Sequence, residues 1–171
     1  MIYPPSVPHL SSIPRPSWLL PLALLAAACV NTDAAVFVEP TITDAEAKIA
    51  GGALGVALTG SFLMTLHLGP RATAPSQVSL LSAKILDAKQ EAEIVGALPV
   101  TTLKMLPVTV DLDSDVAVPF TFDTGTKLLP GELSAKLCDA AGVVIAGTIQ
   151  DSLQSTATLF ASPVFHVSGC K

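Results

Sequence analysis

The feature that most constrains the fold is an alternation of apolar and polar side chains that begins at Val56. Apolar residues or glycine occupy every second position from Val56 to Leu68, and mostly small or polar residues lie between them. A period of two residues is typical of a β-strand with one buried face. The alternative is a membrane-spanning helix over residues 49–68, because this stretch lacks a full charge. The alternation, together with glycines that would weaken a helix, favours the strand.

The same alternation returns along the rest of the chain and predicts further short strands. In one of them Val108, Val110 and Leu112 are expected on the buried face, and in the next Pro119 predicts a sheet edge or a break, because proline cannot donate a ladder hydrogen bond. A hairpin turning near Asp139 is expected within GELSAKLCDAAGVVIAGTI. The other expected strands are SQVSLLSAKILDA, LPVTVDL, DVAVPFTFD, STATLFA and VFHV.

About seven short strands, punctuated by glycine, proline and aspartate, predict an all-β domain built as an antiparallel β-sandwich, with a closed barrel as the alternative. The pattern resembles immunoglobulin-like or fibronectin-type modules, although the single tryptophan, Trp18, cannot form the Cys-Trp-Cys core of antibody domains. We place the sandwich at residues 51–171 and a tether at residues 29–50. Within the tether, AVFVEP is a candidate first strand, and TDAEAK is expected to form a helical turn capped by Thr43 or Asp44.

The N-terminal region contains the apolar stretch WLLPLALLAAACV at residues 18–30, which has the length of a signal-peptide core. Three alanines precede Cys29, and this ending resembles the lipobox of bacterial lipoproteins, with Leu25 one position further from the cysteine than is usual. The resemblance implies a signal peptide over residues 1–28, a lipid on Cys29, and an exported lipoprotein of the outer membrane or cell surface. An ordinary secretory signal cut within the alanines is the alternative.

The three cysteines of the chain fit this interpretation. If Cys29 carries lipid, Cys138 and Cys170 remain as an even pair, and export to an oxidising compartment predicts a disulfide between them. Such a bond would hold the C-terminus, which otherwise tends to fray. The alternatives are free thiols or metal ligands. Metal binding is not favoured, because neither cysteine belongs to a CxxC motif or a cluster of histidines and cysteines.

The stretch FTFDTGT, residues 120–126, resembles the catalytic loop of aspartic peptidases and makes Asp123 a candidate catalytic residue. That chemistry needs two carboxylates, which a retropepsin-like homodimer would supply. The interval between this motif and Ile145-Ala146-Gly147 is too short for the flap of those enzymes. We therefore favour a turn, in which Asp123 accepts a backbone N–H and Gly125 adopts a positive φ.

Two further groups of residues suggest metals. Asp111, Asp113 and Asp115 have the spacing of the first ligands of a calcium loop, but the glycine and the final glutamate of that loop are missing. We expect Asp111 and Asp113 on a solvated strand face instead. His67 and Met64 would suit copper, but strand parity places them on opposite faces. No metal and no cofactor is expected.

Charge excludes one class of partner. The formal net charge is −5, and the nine basic residues are scattered singly, so the chain lacks the basic patch that nucleic acids require. We expect a non-enzymatic, exported cell-envelope lipoprotein whose module is structural or binds a protein partner. The alternatives are an aspartic peptidase homodimer using Asp123 and a calcium-dependent adhesion module.

Overall fold

A computed structural model describes residues 33–52, 55–125 and 128–170. Within these ranges the chain forms nine β-strands and one α-helix. The helix α1 spans Gly131–Asp139 and lies between the seventh and eighth strands. The strands are β1 Glu39–Gly52, β2 Gly55–Leu68, β3 Ser76–Asp87, β4 Glu93–Val95, β5 Val100–Thr101, β6 Val108–Val110, β7 Ser114–Asp123, β8 Val143–Asp151 and β9 Thr158–Ala161.

The strands form two antiparallel sheets that pack against each other as a β-sandwich, so the predicted fold class is confirmed. One sheet has the order β1-β2-β7-β5, and the other has the order β4-β3-β8-β9, with β6 also pairing with β3. Five connections cross between the sheets: β2 to β3, β4 to β5, β5 to β6, β6 to β7 and β7 to β8. This is the ABED and CFG arrangement of immunoglobulin-like sandwiches, with β4 in the place of an added C′ strand.

The alternating stretch is strand β2, as predicted. The alternative of a membrane helix over residues 49–68 is wrong, because the described residues of this range belong to β1 and β2. In β2 the inward positions Leu58, Phe62, Met64 and Leu66 are buried, and the residues between them are partly exposed. The strand lies in the middle of its sheet, paired with β1 on one side and β7 on the other. The alternation of apolar and polar residues in β2 therefore corresponds to the buried and outer faces of a central strand.

The tether prediction is wrong for residues 39–50, because strand β1 begins at Glu39 and pairs along its length with β2. Of the candidate first strand AVFVEP, only Glu39 and Pro40 belong to β1. The helical turn predicted at TDAEAK is also wrong. The ladder register shifts between Thr43 and Glu46, and Asp44 has a φ of 52°. The polar residues thus mark a β-bulge, which bends an edge strand and tolerates aspartate in the left-handed region.

The first half of the predicted hairpin near Asp139 is wrong as well, because residues 131–139 form helix α1. Leu133 and Leu137 lie two positions from Ala135, which mimics a strand, but they are also four residues apart, which is a helical repeat. In the structure Leu137 is buried and Ala135 is exposed, as a helix requires. Glu132 in the first turn and Lys136 in the last turn also suit the helix dipole.

The remaining strand predictions hold in part. SQVSLLSAKILDA, DVAVPFTFD and STATLFA contain β3, β7 and β9, but LPVTVDL yields only the three-residue β6, and Leu112 is exposed rather than buried. The segment VFHV does not form a strand; its Phe165 pairs with Val143 in an isolated β-bridge. At Pro119, strand β7 pairs with β2 on one side and has no partner among the described residues on the other. Strand β5 pairs only with Thr121 and Phe122 of β7. The edge predicted at the proline is confirmed.

The core lies between the two sheets. Phe62 of β2 stacks on Phe120 of β7 with ring centroids 5.1 Å apart, and its ring is 6.5 Å from that of Phe160 on β9. Because β9 belongs to the other sheet, this trio of rings joins the two layers. Fully buried aliphatic residues surround it, among them Leu58, Met64, Leu66, Ile85, Val118, Ile145 and Ile149.

Candidate functional site

The predicted disulfide is present between Cys138 of α1 and Cys170, whose Sγ atoms are 2.12 Å apart. Backbone hydrogen bonds hold the same C-terminal segment to both sheets: the N–H of Val143 donates to the carbonyl of Phe165, and the N–H of Ile49 donates to that of Ser168. The C-terminus is therefore attached both covalently and through backbone pairing.

Asp123 behaves as the turn interpretation predicts. Strand β7 ends at this residue, and its carboxylate accepts the backbone N–H of Gly125 at 2.7 Å. Gly125 has a φ of 51°, the left-handed conformation that glycine adopts without strain. In this structure the Asp-Thr-Gly sequence therefore caps a strand.

The three aspartates of DLDSD do not share one strand face, which corrects the expectation for Asp111 and Asp113. Strand β6 ends at Val110, and these two exposed residues belong to the turn that precedes β7. Asp113 has a φ of 53°, and the hydroxyl of Ser114 donates to the carbonyl of Asp111 at 2.7 Å. Within the described ranges no three histidine, cysteine or acidic side chains are grouped so as to hold a metal ion.

His67 lies on β2 with its side chain on the outer face of the sheet, opposite in parity to the buried Met64, as predicted. Its imidazole lies between two carboxylates. Nδ1 is 2.8 Å from Oδ1 of Asp115 on β7, and Nε2 is 2.9 Å from Oδ2 of Asp33. We call these three residues the His67 cluster. The cluster brings together residues that lie 34 positions before and 48 positions after His67 in the sequence.

Electrostatics within the His67 cluster favour the charged imidazole. Hydrogen bonds to Asp115 and then to Asp33 raise the pKa of His67 above its ordinary value of 6.5, against a smaller opposing effect of burial. The backbone N–H of Ala35, followed by the hydrogen bond from His67, lowers the pKa of Asp33 below its ordinary value of 3.8. The cluster is therefore most stable with a protonated histidine between ionised carboxylates.

Asp33 belongs to a segment that we call the strap, residues 33–38, which leads into β1. At its other end, the N–H of Val38 donates to Oδ2 of the fully buried Asp151, at the end of β8, at 2.9 Å. The strap thus contacts one sheet through His67 and the other through Asp151. It also lies against the backbone of Gly69, where an added Cβ would be 2.6 Å from the carbonyl oxygen of Ala35.

Among the described residues, the two most exposed large apolar side chains lie on the loop between β5 and β6. Leu103 and Met105 have relative exposures of 102% and 89%, and Leu106 has one of 40%. Lys104 lies between the first two and is also exposed. Singly scattered apolar side chains are ordinary on a protein surface, whereas apolar side chains grouped together can mark a contact surface. We call residues 103–106 the apolar loop.

A second apolar surface lies on the outer face of the sheet that contains β3, β8 and β9. Leu86, Val144 and Ala146 form a small buried cluster on this face, separate from the main core. Beside it is an open groove of about 450 Å³, whose rim includes the exposed Leu159. This groove is open to solvent, unlike an enclosed ligand cavity, and provides a second apolar surface.

Comparison with protein-family models, curated proteins and solved structures found no match to this chain. Within the described ranges no helix is both long and apolar enough to span a membrane. The predicted signal peptide and Cys29 lie outside those ranges.

Sequence reasoning identified His67 but not its partners. Strand parity placed its side chain on the outer face, and the same parity in β7 places Asp115 on that face. The two residues are directly opposite in the ladder, which only the register of β2 and β7 establishes. Nothing in the sequence pointed to Asp33 as a partner of His67, because Asp33 lies outside every predicted strand. The apolar loop had a visible signal, since Leu103 and Met105 fall outside every strand that the alternation predicts.

Proposed function

We propose that this protein is an exported bacterial lipoprotein that acts without catalysis, as a β-sandwich module that binds a protein partner in the cell envelope. The observation that carries the binding role is the apolar loop, whose Leu103 and Met105 are almost completely exposed. Burying two such side chains at an interface would remove apolar area from water, the main driving force of association. The loop is therefore the proposed contact surface.

Two features support export and anchoring. The alanines before Cys29 resemble a lipobox, and the disulfide between Cys138 and Cys170 suits an oxidising compartment. Only Val30, Asn31 and Thr32 separate the proposed lipid-bearing residue from the first residue of the strap. Four residue steps span at most about 14 Å, so the acyl chains would keep the sandwich close to the membrane surface.

The anchor is tested by labelling growing bacteria that express the full chain with an alkyne-tagged fatty acid. We expect the wild-type protein to incorporate the label and to sediment with membranes, and C29S to do neither. C138S retains the proposed lipid site and serves as the matched cysteine control. Equal labelling of C29S and wild type would contradict the lipoprotein assignment.

The contact surface is tested by placing a photo-crosslinking amino acid at Lys104 in cells and looking for a discrete adduct of higher mass. The same amino acid at Lys48, an exposed lysine on β1 outside both apolar surfaces, is the matched control. We expect an adduct at position 104 that disappears in the L103S/M105S background. An adduct of equal yield at both positions, or one insensitive to the double substitution, would refute the loop as the contact surface.

A further inference from the structure

We propose that His67, Asp33 and Asp115 form a pH-sensitive clasp that fastens the strap to the sandwich in mildly acidic conditions and releases residues 33–37 at higher pH. The clasp is independent of the proposed lipid anchor and of the proposed partner. Because the strap precedes β1, the clasp would control how the chain leaves the folded domain on its N-terminal side.

The proton count of the imidazole carries this inference. A neutral imidazole has one N–H and one lone pair, whereas the imidazolium ion has two N–H groups. In the structure both ring nitrogens are within hydrogen-bond distance of a carboxylate oxygen, at 2.8 Å and 2.9 Å. Both links can therefore form together only when His67 is protonated. After loss of that proton, one carboxylate faces a lone pair, and one link must open. Asp115 is held directly opposite His67 by the pairing of β2 with β7, whereas Asp33 belongs to the strap, so the link to Asp33 is the one that opens.

The charged groups around His67 are mainly acidic. Glu39 of β1 lies directly opposite His67 in the ladder, and Asp115 of β7 lies directly opposite it on the other side. Asp33 approaches from the strap, and Asp111 and Asp113 lie in the turn before β7. Arg71, in the connection after β2, is the nearby cation, and its charge acts on Asp33. This surplus of negative charge stabilises the imidazolium ion. Arg71 is a second cation whose charge acts on Asp33 when His67 is neutral.

The pH window follows from the two pKa shifts. A raised pKa for His67 means that its contribution is complete below 6.5 and disappears as the pH rises through the raised value. A lowered pKa for Asp33 means that its contribution is complete above 3.8 and disappears as the pH falls through the lowered value. The clasp is thus closed between these limits and opens first on the alkaline side.

The strap is attached so that it can open locally. Val38 is 1% exposed and its N–H is held by Asp151, so this residue forms a fixed end. Val36 and Phe37 are each 43% exposed, and Ala35 is the one buried residue between Asp33 and Val38. Few buried contacts would be lost on release, which is the property of segments that open independently of global unfolding.

The test uses the full-length chain in mild detergent and combines two measurements. Hydrogen–deuterium exchange of residues 33–37 is followed at pH 5.5 and pH 8.0, corrected for the intrinsic pH dependence of exchange, and the imidazoles are titrated by NMR. We expect exchange of the wild-type strap to be roughly three- to tenfold faster at the higher pH, from loss of one charge-assisted hydrogen bond at a partly exposed site. The His67 midpoint should lie above 6.5 and should move towards it in D115N.

The variants separate the clasp from general stability. H67Q should exchange fast at both pH values, whereas H166Q, altered at an exposed histidine outside the cluster, should respond as the wild type does. D33N retains an oxygen for the N–H of Ala35 and should also remain open at both pH values, which keeps the test decisive if H67Q folds poorly. Equal corrected exchange of the wild type at both pH values, or a pH response that persists in H67Q, would overturn the proposal.

Discussion

The two ends of the described chain are held to the same sandwich by different chemistry. At the C-terminal end, Cys170 is bonded covalently to Cys138, and Phe165 and Ser168 pair with the backbones of β8 and β1. At the N-terminal end, the strap is held by side chains: Asp33 contacts His67, and Val38 donates to Asp151. The first attachment responds to redox potential, and the second responds to protonation.

The difference shows how one fold can be fixed at one end and adjustable at the other. A disulfide that closes a long loop stabilises chiefly by restricting the unfolded chain, and its effect does not depend on the charge of nearby groups. The imidazole and its carboxylates remain partly exposed, so each link is screened by water and contributes little by itself. A terminus held in this way can detach without unfolding the core.

Removing the covalent attachment should have the largest effect on stability. Cys138 and Cys170 are 32 residues apart, and a loop of that length corresponds to about 3–4 kcal/mol of unfolding free energy in the chain-entropy model. We expect C138S/C170S to lose this amount in urea denaturation followed by circular dichroism. Reduction of the wild-type protein should give the same loss, and an unchanged midpoint in both cases would contradict this account of the C-terminal end.

Weakening the buried attachment of the strap should have an intermediate effect. The Asp151 carboxylate accepts the N–H groups of Val38 and Leu153 and the hydroxyl of Ser76. D151N replaces one acceptor oxygen by an N–H₂ group that faces a donor, so we expect a loss of about 1–3 kcal/mol in the same denaturation experiment. The exposed D111N is the control and should change stability by less than about 0.5 kcal/mol. Equal stabilities of the two variants would show that Asp151 does not hold the strap.

Weakening the ionic attachment should have the smallest effect, and one that depends on pH. Because the pKa of His67 is raised, the wild-type melting temperature should fall as the pH rises from 5.5 through the raised value, by about 1–2 °C for so exposed a group. H67Q should lose this part of the pH dependence, and H166Q should retain it. Parallel pH curves for wild type and H67Q would mean that the ionic attachment contributes nothing measurable.

The alternating strands and the turn at Asp123 could be predicted because the residues that determine them are close in sequence. Leu58 to Leu68 alternate because neighbouring residues of a strand face opposite layers, and Asp123 binds Gly125, only two residues away. The cysteine pair followed from an even count and the inferred compartment. Helix α1 was missed because Leu133 and Leu137 satisfy both a strand and a helix period, and packing of the buried Leu137 against the core decides between them.

The sequence by itself determined that this chain builds an antiparallel sandwich with one bonded cysteine pair, since alternation, turn residues and cysteine number act locally or by count. Only the tertiary structure decided that the polar residues near Asp44 form a β-bulge in an edge strand. It also decided that Asp33 and Asp115 form hydrogen bonds with His67. Those contacts join residues 34 and 48 positions apart. They depend on the register between strands and on the path of the strap, which no short stretch of sequence specifies.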